Sequence, residues 1–449
     1  MKTIFITIYD GTIAKNLLRT KVLEVLKTKL KIVLLVRQEK KEYYQKEFGS
    51  KNVIIKPLPP FKGGEKIGRL FYYVCLYGIH TETSRIRNMT SLKRNRHYPL
   101  FLIKQTFWFL GQFRLWRELL RKIYFFIPSG RFEEILNTYK PDLVFATGML
   151  SIEDNQLLKE AKKREIKTLG MVKSWDNLVS NTFILVKPDK LIVHNNIIKN
   201  EAIVLCDYPS QNIFVSGIPQ YDIYIDKDTF LAREEFFKKI KADPSKKLIL
   251  FCEGGDFFCP DDPEILEILN QAVKTKKIKT PSQILARSHP KYPGFDGIAK
   301  RNNGIILDRP GKHILNSLGH WEFERDDILH LANSLYHADL VINTCSTMTL
   351  EACVFDKPVI TIAFDGFHKR DFYQSVKRLS SFTHYQKVVR TGGIRLVENS
   401  NQLIEMVNTY LSNPKLEQEG RKRIRDEQCY KLDGKSGERI AKFILKLIY

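Results

Sequence analysis

The sequence predicts an α/β fold built from two doubly wound parallel sheets. Short apolar runs rich in β-branched residues, typical of strands buried on both faces of a parallel sheet, alternate with amphipathic helical patterns. This alternation occurs in each half of the chain. The 449 residues exceed what one hydrophobic core usually supports, and 43% hydrophobic residues are ample for two cores. We therefore expect an N-terminal domain over residues 1–225, a linker over residues 226–246 and a C-terminal domain over residues 247–449.

The first half begins with a predicted strand, Ile4–Ile8, that ends in a turn at Asp10 and Gly11. A later predicted strand, Lys167–Val172, is followed by a polar run. The run consists of Lys173, Ser174, Trp175, Asp176 and Asn177. Because ligands of open α/β sheets bind at the carboxyl ends of the strands, these residues are placed to contact a substrate. Asp176 is a candidate catalytic base, and a loop aspartate that only turns the chain is the alternative.

Residues 85–131 form a basic, aromatic segment with helical patterning. It carries eleven Lys and Arg residues against one acid, Glu118, so it holds +10 of the net charge of +23. Such a segment can lie in the headgroup region of an anionic membrane, or its apolar face can pack on the N-terminal sheet with its charges solvated. RNA binding is disfavoured because no RNP, KH or zinc signature accompanies the charge, and we expect no nucleic-acid partner.

The second half opens with the predicted strand Lys247–Cys252, which runs into Glu253, Gly254 and Gly255. Glycines at this point let the backbone approach a ligand closely. No Gly-Lys-Ser/Thr follows, which excludes a Walker loop, and the GxGxxG pattern of dinucleotide enzymes is absent.

Two further strand ends carry polar residues that suit an anion. His289 follows one predicted strand and lies between the cations Arg287 and Lys291. No second His, Cys or acid stands at ligand spacing from His289, so a metal site is the poorer interpretation. The other end follows the strand Leu340–Ile342. Its hydroxyl residues are Thr344, Ser346 and Thr347, before a short helix whose N–H groups could bind phosphate. The alternative is that Ser346 or Thr347 only caps that helix.

Composition indicates a soluble protein in a reducing compartment. The mean hydropathy is −0.26, and 27% of the residues are charged. Seven cysteines form no CxxC pair, which favours neither a zinc site nor a disulfide framework. The first residues run directly into a strand, so we expect a cytoplasmic protein, with peripheral contact to the inner face of the cell membrane as an open alternative.

Three dipeptides, in this order and each at a predicted strand end, resemble a known group of enzymes: Glu253-Gly254, His289-Pro290 and Ser346-Thr347. Together with Gly217-Ile218-Pro219, the series is similar to the GT-B glycosyltransferases and the related CDP-glycerol glycerophosphotransferases of bacterial surface-glycan assembly. The resemblance implies two Rossmann-like domains facing across a cleft. The N-terminal domain would bind the acceptor and the C-terminal domain the nucleotide-activated donor.

The predicted site follows from the residues and the resemblance together. Asp176 and His289 are the candidate catalytic residues. The predicted donor and phosphate ligands are Glu253, Gly254, Gly255, Arg287, His289, Thr344, Ser346, Thr347 and Glu351. The predicted acceptor residues are Asp10, Gly11, Trp175 and Asn177. We expect neither a metal nor another cofactor.

The favoured function is transfer of a sugar from a nucleotide-activated donor to a cell-surface glycan or a lipid-linked acceptor. The alternatives are CDP-glycerol glycerophosphotransferase chemistry, a UDP-GlcNAc 2-epimerase-like activity and a non-catalytic protein that binds anionic glycan or lipid. An epimerase would need acidic catalytic residues that the sequence does not identify.

Overall fold

The computed structural model of the protein describes residues 1–61, 65–291, 294–295, 297–298, 304–313 and 321–449. It divides into two units: Met1–Asp222 together with Tyr430–Tyr449, and Ile223–Cys429. These boundaries differ from the expected ones in two respects. The expected linker over residues 226–246 lies inside the second unit, and residues 430–449 belong to the first unit.

The first unit contains a seven-stranded parallel sheet. Its strands are β1 (Thr3–Ile8), β2 (Lys31–Val36), β3 (Val53–Pro57), β4 (Leu143–Ala146), β5 (Lys167–Met171), β6 (Lys190–Val193) and β7 (Ile213–Val215). They are arranged in the order β3-β2-β1-β4-β5-β6-β7. The chain order reverses between β1 and β4, and open α/β sheets bind ligands at such a reversal.

The second unit contains a six-stranded parallel sheet and a small antiparallel pair. Its strands are β8 (Lys247–Cys252), β9 (Ser282–Arg287), β10 (Ile305–Asp308), β11 (Lys312–His313), β12 (Trp321–Glu322), β13 (Leu340–Asn343), β14 (Val359–Ile362) and β15 (Arg395–Val397). The large sheet has the order β10-β9-β8-β13-β14-β15, and β11 pairs with β12. Here the reversal lies between β8 and β13.

Helices connect the strands in both units. In chain order they are α1 (Gly11–Ile13), α2 (Lys21–Leu26), α3 (Lys41–Phe48), α4 (Glu65–Tyr77), α5 (Glu82–Asn95), α6 (Tyr98–Leu110), α7 (Arg114–Phe126), α8 (Glu133–Tyr139), α9 (Ile152–Lys163), α10 (Asn177–Ser180), α11 (Asn196–Cys206), α12 (Arg233–Lys239), α13 (Asp262–Lys274), α14 (Arg325–His337), α15 (Met348–Val354), α16 (Lys377–Ser380), α17 (Thr383–Val389), α18 (Ser400–Ser412), α19 (Gln418–Glu427) and α20 (Ser436–Ile448). A π-helix, Ala14–Leu18, continues α1. Short 3₁₀ turns lie at Gln38–Lys40, Ser210–Asn212, Pro219–Tyr224 and Lys227–Thr229.

Each unit has its own hydrophobic core. In the first unit, alternate residues of β1 pack with α2 and with Ile440, Ile444 and Ile448 of α20, which explains why the end of the chain belongs to this unit. In the second unit, alternate residues of β8 and β13 pack against α13 and α18. Every residue of β1 is buried, as expected for a strand covered on both faces. The predicted α/β class with two doubly wound domains is confirmed.

Candidate functional site

The predicted donor residues of the second unit lie at the carboxyl ends of three adjacent strands. Residues 253–255 follow β8, residues 288–291 follow β9, and residues 344–347 follow β13. Because β8 lies between β9 and β13, the three loops meet at one edge of the sheet, beside its reversal. We call these loops the donor edge. The structure therefore brings together residues that the sequence separates by about ninety positions.

Asp262 connects two loops of the donor edge. The backbone N–H of Gly254 donates to Asp262 Oδ2 at 2.6 Å, and the Thr344 hydroxyl donates to Asp262 Oδ1 at 2.7 Å. The residue is only 1% exposed, and burial raises the pKa of Asp262 to about 7. Asp262 is not among the site residues predicted from the sequence. A signal was available, because this helix starts shortly after the Gly-Gly turn.

Glu253 and His289 connect the loop after β8 to the loop after β9. The backbone N–H of His289 donates to Glu253 Oε2 at 2.8 Å, and His289 Nδ1 accepts from the Lys291 backbone N–H at 3.1 Å. Burial, with the nearby charge of Lys291, lowers the pKa of His289 to about 4. The imidazole is therefore neutral at pH 7, and its proton lies on Nε2. His289 is thus a hydrogen-bond donor at this pH, whereas the sequence had suggested a group in a cationic site.

Arg287 directs its charge into the protein. Its guanidinium forms an ion pair with Asp308, and both side chains are 7% exposed. Burial alone would raise the pKa of Asp308, but the charge of Arg287 and the nearby His330 hold it at about 2. Arg287 therefore supports the end of β9 from inside, and its charge is neutralised by Asp308.

The hydroxyl-rich turn is shaped by Asn343. Asn343 Oδ1 accepts from the Ser346 backbone N–H at 3.0 Å and from the Thr349 hydroxyl at 3.1 Å. Ser346 Oγ accepts from the Met348 N–H at 3.2 Å, so Ser346 does contribute to capping. Thr347 is exposed, and its side chain makes no capping hydrogen bond. The Thr347 hydroxyl can therefore donate to a ligand without loss of a helix cap.

Other polar groups near the donor edge are buried. Glu351 is 5% exposed and accepts a hydrogen bond from the Tyr224 hydroxyl, so it acts within the packed interior. Ser288 Oγ and Asn343 Nδ2 are buried without a hydrogen-bond partner among the residues that the structure describes. An unpaired buried polar group costs free energy, and ligand binding is one way to satisfy it.

The first unit has a pocket of about 300 Å³ at the carboxyl ends of β1, β4 and β5. Its lining residues are Tyr9, Asp10, Arg37, Tyr72, Thr147, Gly148, Met149, Leu150, Ser151, Ile152, Glu153, Met171, Lys173, Asn177 and Asn181. Two predicted acceptor residues, Asp10 and Asn177, are among them. Gly11 is buried in α1, and Trp175 is 8% exposed. The pocket adjoins the reversal of the first sheet, and sequence reasoning missed Arg37 and Glu153.

Two carboxylates close to this pocket differ in their partners. Lys173 Nζ donates to Asp10 Oδ2 at 2.9 Å, and the Ile13 N–H donates to Asp10 Oδ1 at the same distance. Burial opposes ionisation, but Lys173 and the Ile13 N–H lower the pKa of Asp10 overall. The Asp176 carboxylate accepts from the hydroxyls of Ser174 at 2.5 Å and Ser180 at 3.2 Å. Both carboxylates are therefore held in fixed orientations.

Asp154 in the first unit is the counterpart of Asp262. Its Oδ2 accepts from the Gly148 N–H at 2.8 Å and from the Thr7 hydroxyl at 3.2 Å, and its Oδ1 accepts from the Tyr9 hydroxyl. Burial raises the pKa of Asp154 to about 7. Asp154 thus connects β1 to the loop after β4 across the reversal, and sequence reasoning had not singled it out.

Comparison with known families identifies the chain. The family model described as CDP-glycerol:poly(glycerophosphate) glycerophosphotransferase matches residues 162–446, which is more than half of the chain. The protein belongs to this glycerophosphotransferase family. As a member it is a transferase that uses a nucleotide-linked donor, which confirms the transferase prediction at this level. A search of curated protein sequences found no match.

Solved structures similar to this glycerophosphotransferase family member confirm the GT-B fold. MnaA of S. aureus in a co-structure with UDP is 14% identical, with a TM-score of 0.56 over 100% of this chain and 98% of that chain. The UDP-GlcNAc 2-epimerase of Neisseria meningitidis bound to UDP-GlcNAc is 14% identical, with a TM-score of 0.56 over 99% of this chain and 100% of that chain. A glycosyltransferase of Rickettsia africae is 13% identical, with a TM-score of 0.51 over 99% of both chains. At these identities the similarity establishes the fold alone.

In this family member, the basic aromatic segment is helical, and two of its arginines are buried instead of lying on the surface. Arg117 donates to Asp207 through Nε at 2.8 Å and through Nη2 at 2.6 Å, and Arg121 donates to Asp207 at 2.9 Å. These three side chains are 7–8% exposed. The opposite face of α7 is exposed and apolar, with Leu115 at 86% and Phe126 at 81%. The charges expected on the surface of α7 are therefore partly internal.

This exposed apolar face extends over neighbouring helices. Its members are Ile67, Leu70, Tyr73, Tyr98, Leu102, Ile103, Phe109, Phe113, Leu115, Leu119, Ile123, Phe125 and Phe126, which we call the apolar surface. Thirteen of the twenty-two exposed large hydrophobic residues in the described chain lie here, so exposed apolar side chains are concentrated on these helices. Exposed cations in the same segment are Arg85, Arg87, Lys93, Arg94, Arg96, Arg114 and Lys122. None of the described helices combines the length and hydrophobicity that crossing a membrane requires.

One group of side chains beside the donor edge could hold a metal ion. The ligand atoms of Asp261, Glu264 and His368 lie within 4.8 Å of one another. His368 Nε2 is 3.0 Å from Glu264 Oε1, and Arg370 binds both oxygens of Asp261. The arrangement therefore already contains a cation, the Arg370 guanidinium, against one of the carboxylates.

Proposed function

We propose that the protein transfers a polyol phosphate, with glycerol phosphate as the first candidate, from a CDP-linked donor to a hydroxyl of a cell-surface glycan or lipid-linked acceptor. The family match carries this proposal, because residues 162–446 include the whole second unit and its donor edge. This choice favours the second of the functions predicted from the sequence over transfer of a sugar alone.

The donor edge supports binding of a diphosphate. His289 offers a neutral Nε2–H, the turn before α15 offers the hydroxyls of Ser346 and Thr347, and Ser288 Oγ is buried without a partner among the described residues. Such pre-arranged donors stabilise negative charge without reorganisation during the reaction. We assign the donor phosphates to these groups. Glu253, Arg287 and Glu351 act indirectly, by fixing the loops and the strands behind them.

The chemistry is a phosphoryl transfer. The oxygen of an acceptor hydroxyl attacks the phosphorus that carries the polyol and forms a new P–O bond. The bond from that phosphorus to the bridging oxygen breaks, and CMP leaves with the electron pair. The hydroxyl proton passes to a carboxylate, for which Asp176 remains the candidate. The pocket of about 300 Å³ at Asp10 and Asn177 suits the polyol end of an acceptor.

The identity of the released nucleotide tests this proposal. Purified protein is incubated with CDP-glycerol or with a panel of nucleotide sugars, each with and without acceptor, and the products are separated by anion-exchange chromatography. We expect CMP from CDP-glycerol, dependent on acceptor. Release of a nucleoside diphosphate from a sugar donor would instead identify a glycosyltransferase. Acceptor-independent isomerisation of UDP-GlcNAc would identify an epimerase, and nucleotide binding without turnover would identify a binding protein.

We also propose that the apolar surface rests on an anionic membrane, from which a lipid-linked acceptor would be collected. Exposed large apolar residues concentrated in one region of a surface mark an interaction site. The exposed Arg114 and Lys122 flank it on α7, and basic residues beside an apolar face favour anionic lipid headgroups. Under this proposal the protein would lie peripherally at the inner face of the membrane.

We propose further that transfer needs no metal or other cofactor. Arg370 already neutralises Asp261 in the group that could hold a cation. The charge of the leaving nucleotide would then be met by the donor groups of the second unit.

A further inference from the structure

Asp262 lies where the two loops flanking the reversal of the second sheet diverge. It accepts the Gly254 N–H from the loop after β8 and the Thr344 hydroxyl from the loop after β13, at 2.6 and 2.7 Å. Cys259 Sγ is 2.5 Å from the position that a Cβ on residue 254 would occupy, so the first loop is tightly packed against the start of α13. Asp262 has no exposed surface with which to contact substrate directly.

We propose that Asp262 is a positioning residue that holds residues 253–255 and 344–347 in the arrangement that binds the donor. The inference rests on the proposed role of the donor edge. Glu253, in the first of these loops, accepts the backbone N–H of His289 and so orients it. The second loop carries the hydroxyls of Ser346 and Thr347. A change at Asp262 therefore reaches both sets of donor groups.

The two hydrogen bonds define what this position requires. A carboxylate accepts at both oxygens, and both partners of Asp262 donate to it, so one side chain pairs with both loops at once.

The first unit supplies a matched comparison. Asp154 likewise accepts from a glycine N–H and from a threonine hydroxyl on opposite sides of a sheet reversal, and its pKa is also near 7. The loop that it holds carries Gly148, which lines the pocket of the first unit. A defect at Asp154 should therefore affect the acceptor, and a defect at Asp262 the donor.

Steady-state kinetics with CDP-glycerol and acceptor test the inference. Asp262→Asn keeps the shape of the side chain, and its amide can pair with both partners only if Thr344 reverses its hydroxyl. We expect Asp262→Asn to raise the donor KM by about tenfold, as for loss of a charge-assisted hydrogen bond, and to leave the acceptor KM close to that of the wild type.

Thr344 tests the same connection from the second loop. Thr344→Val removes the hydroxyl at constant shape and should raise the donor KM, whereas Thr344→Ser restores the hydroxyl and should recover wild-type values. Asp154→Asn should change the KM for the acceptor and leave the donor KM as in the wild type. Thermal melting of each variant establishes that it is folded before kinetics are compared.

The outcomes distinguish this inference from the proposed function. If wild type releases no CMP from CDP-glycerol, the proposed function is wrong, and direct binding of CMP to wild type and Asp262→Asn then tests the positioning role. If wild type is active but folded Asp262→Asn and Thr344→Val keep the wild-type donor KM, the positioning role is wrong. An equal change of donor and acceptor KM in Asp262→Asn would mark a general structural role and would also overturn it.

Discussion

His289 donates its backbone N–H to the carboxylate of Glu253 at 2.8 Å while its Nδ1 accepts from the Lys291 N–H at 3.1 Å. Glu253 therefore holds the main chain at His289, and the Lys291 N–H holds the imidazole at Nδ1, with Nε2 as the nitrogen that carries the proton. The amide of an asparagine reaches the position of Nδ1, and the amide of a glutamine reaches that of Nε2. Substitution by these two residues therefore tests the two ring nitrogens separately.

We predict that His289→Asn lowers turnover by about a hundredfold, as expected for loss of one donor to a developing negative charge. Asn can still accept from the Lys291 N–H, so the melting temperature should stay close to that of the wild type. His289→Gln should retain more activity because its amide can donate from the position of Nε2. Steady-state assays with CDP-glycerol measure both variants. Equal, wild-type turnover in both would remove His289 from the donor site.

The buried arginines of α7 should contribute to stability. Arg117→Met leaves Asp207 buried with half of its cationic partners, and breaking a buried ion pair typically costs about 3–5 kcal/mol. Arg114→Gln on the same helix changes an exposed cation and should alter stability by less than about 0.5 kcal/mol. Urea denaturation followed by tyrosine and tryptophan fluorescence compares them. Similar midpoints for the two variants would contradict the internal role of Arg117.

The apolar surface should bind anionic vesicles. Leu115 and Phe126 are 86% and 81% exposed, so Leu115→Glu and Phe126→Glu should leave the fold intact while each opposes insertion and repels anionic lipid. Val204 is 69% exposed on α11, outside this surface, and Val204→Glu is the matched control. In co-sedimentation with vesicles that contain phosphatidylglycerol, Leu115→Glu and Phe126→Glu should stay in the supernatant. The wild type and Val204→Glu should pellet.

Salt separates the contributions of charge and apolar contact. Binding of the wild type should weaken between low and high salt, because screening shortens the reach of Arg114 and Lys122. If the wild type does not pellet at low salt, or if Val204→Glu loses binding as completely as Leu115→Glu, the apolar surface does not rest on lipid. Activity on a short soluble acceptor should be equal in all of these variants.

Local pattern was sufficient for the fold. The predicted strand Ile4–Ile8 is mainly apolar because both of its faces are covered, and the observed β1, Thr3–Ile8, matches it to within a residue. The glycine turn after β8 and the hydroxyl-rich turn after β13 were also placed correctly at strand ends. Whether their residues bind the donor stays a prediction.

Long-range pairing was beyond the sequence. Arg117 pairs with Asp207, which is 90 residues away in the sequence, and Thr344 forms a hydrogen bond with Asp262, which is 82 residues away. The helical period of α7 gives two faces but does not reveal which is inside when a distant carboxylate can neutralise the basic one. The same limitation applies to Arg287, whose neutralisation by Asp308 depends on the pairing of β9 with β10.

Chelation should leave transfer unchanged. Because Arg370 binds both oxygens of Asp261, we expect EDTA-treated protein to keep full activity and Glu264→Gln to behave as the wild type in metal-free buffer. Activity is measured after dialysis against chelator and after addition of Mg²⁺ or Mn²⁺. Loss of activity on chelation, recovery with metal and absence of that recovery in Glu264→Gln would together place a metal at Asp261, Glu264 and His368.

The two buried aspartates should leave a measurable signature in stability between about pH 4 and pH 7. The pKa values of Asp154 and Asp262 rise from an ordinary value of 3.8 to about 7 on folding. Within this window the folded protein keeps two protons that the unfolded chain releases, so these groups make the free energy of unfolding decrease as the pH rises. Each contributes a slope of at most about 1.4 kcal/mol per pH unit. The contribution is fully present below about pH 4 and is lost above about pH 7.

Other groups titrate in the same window with the opposite sign. The pKa values of His194 and His289 are lowered to about 4, so these residues increase stability as the pH rises. The test is therefore the difference between a variant and the wild type. Asp154→Asn and Asp262→Asn should each gain stability relative to the wild type between pH 4.5 and pH 7.5, measured by urea denaturation at four pH values. A constant difference across this range would mean that the carboxyl concerned is already ionised at low pH, and the pKa assigned to it would be wrong.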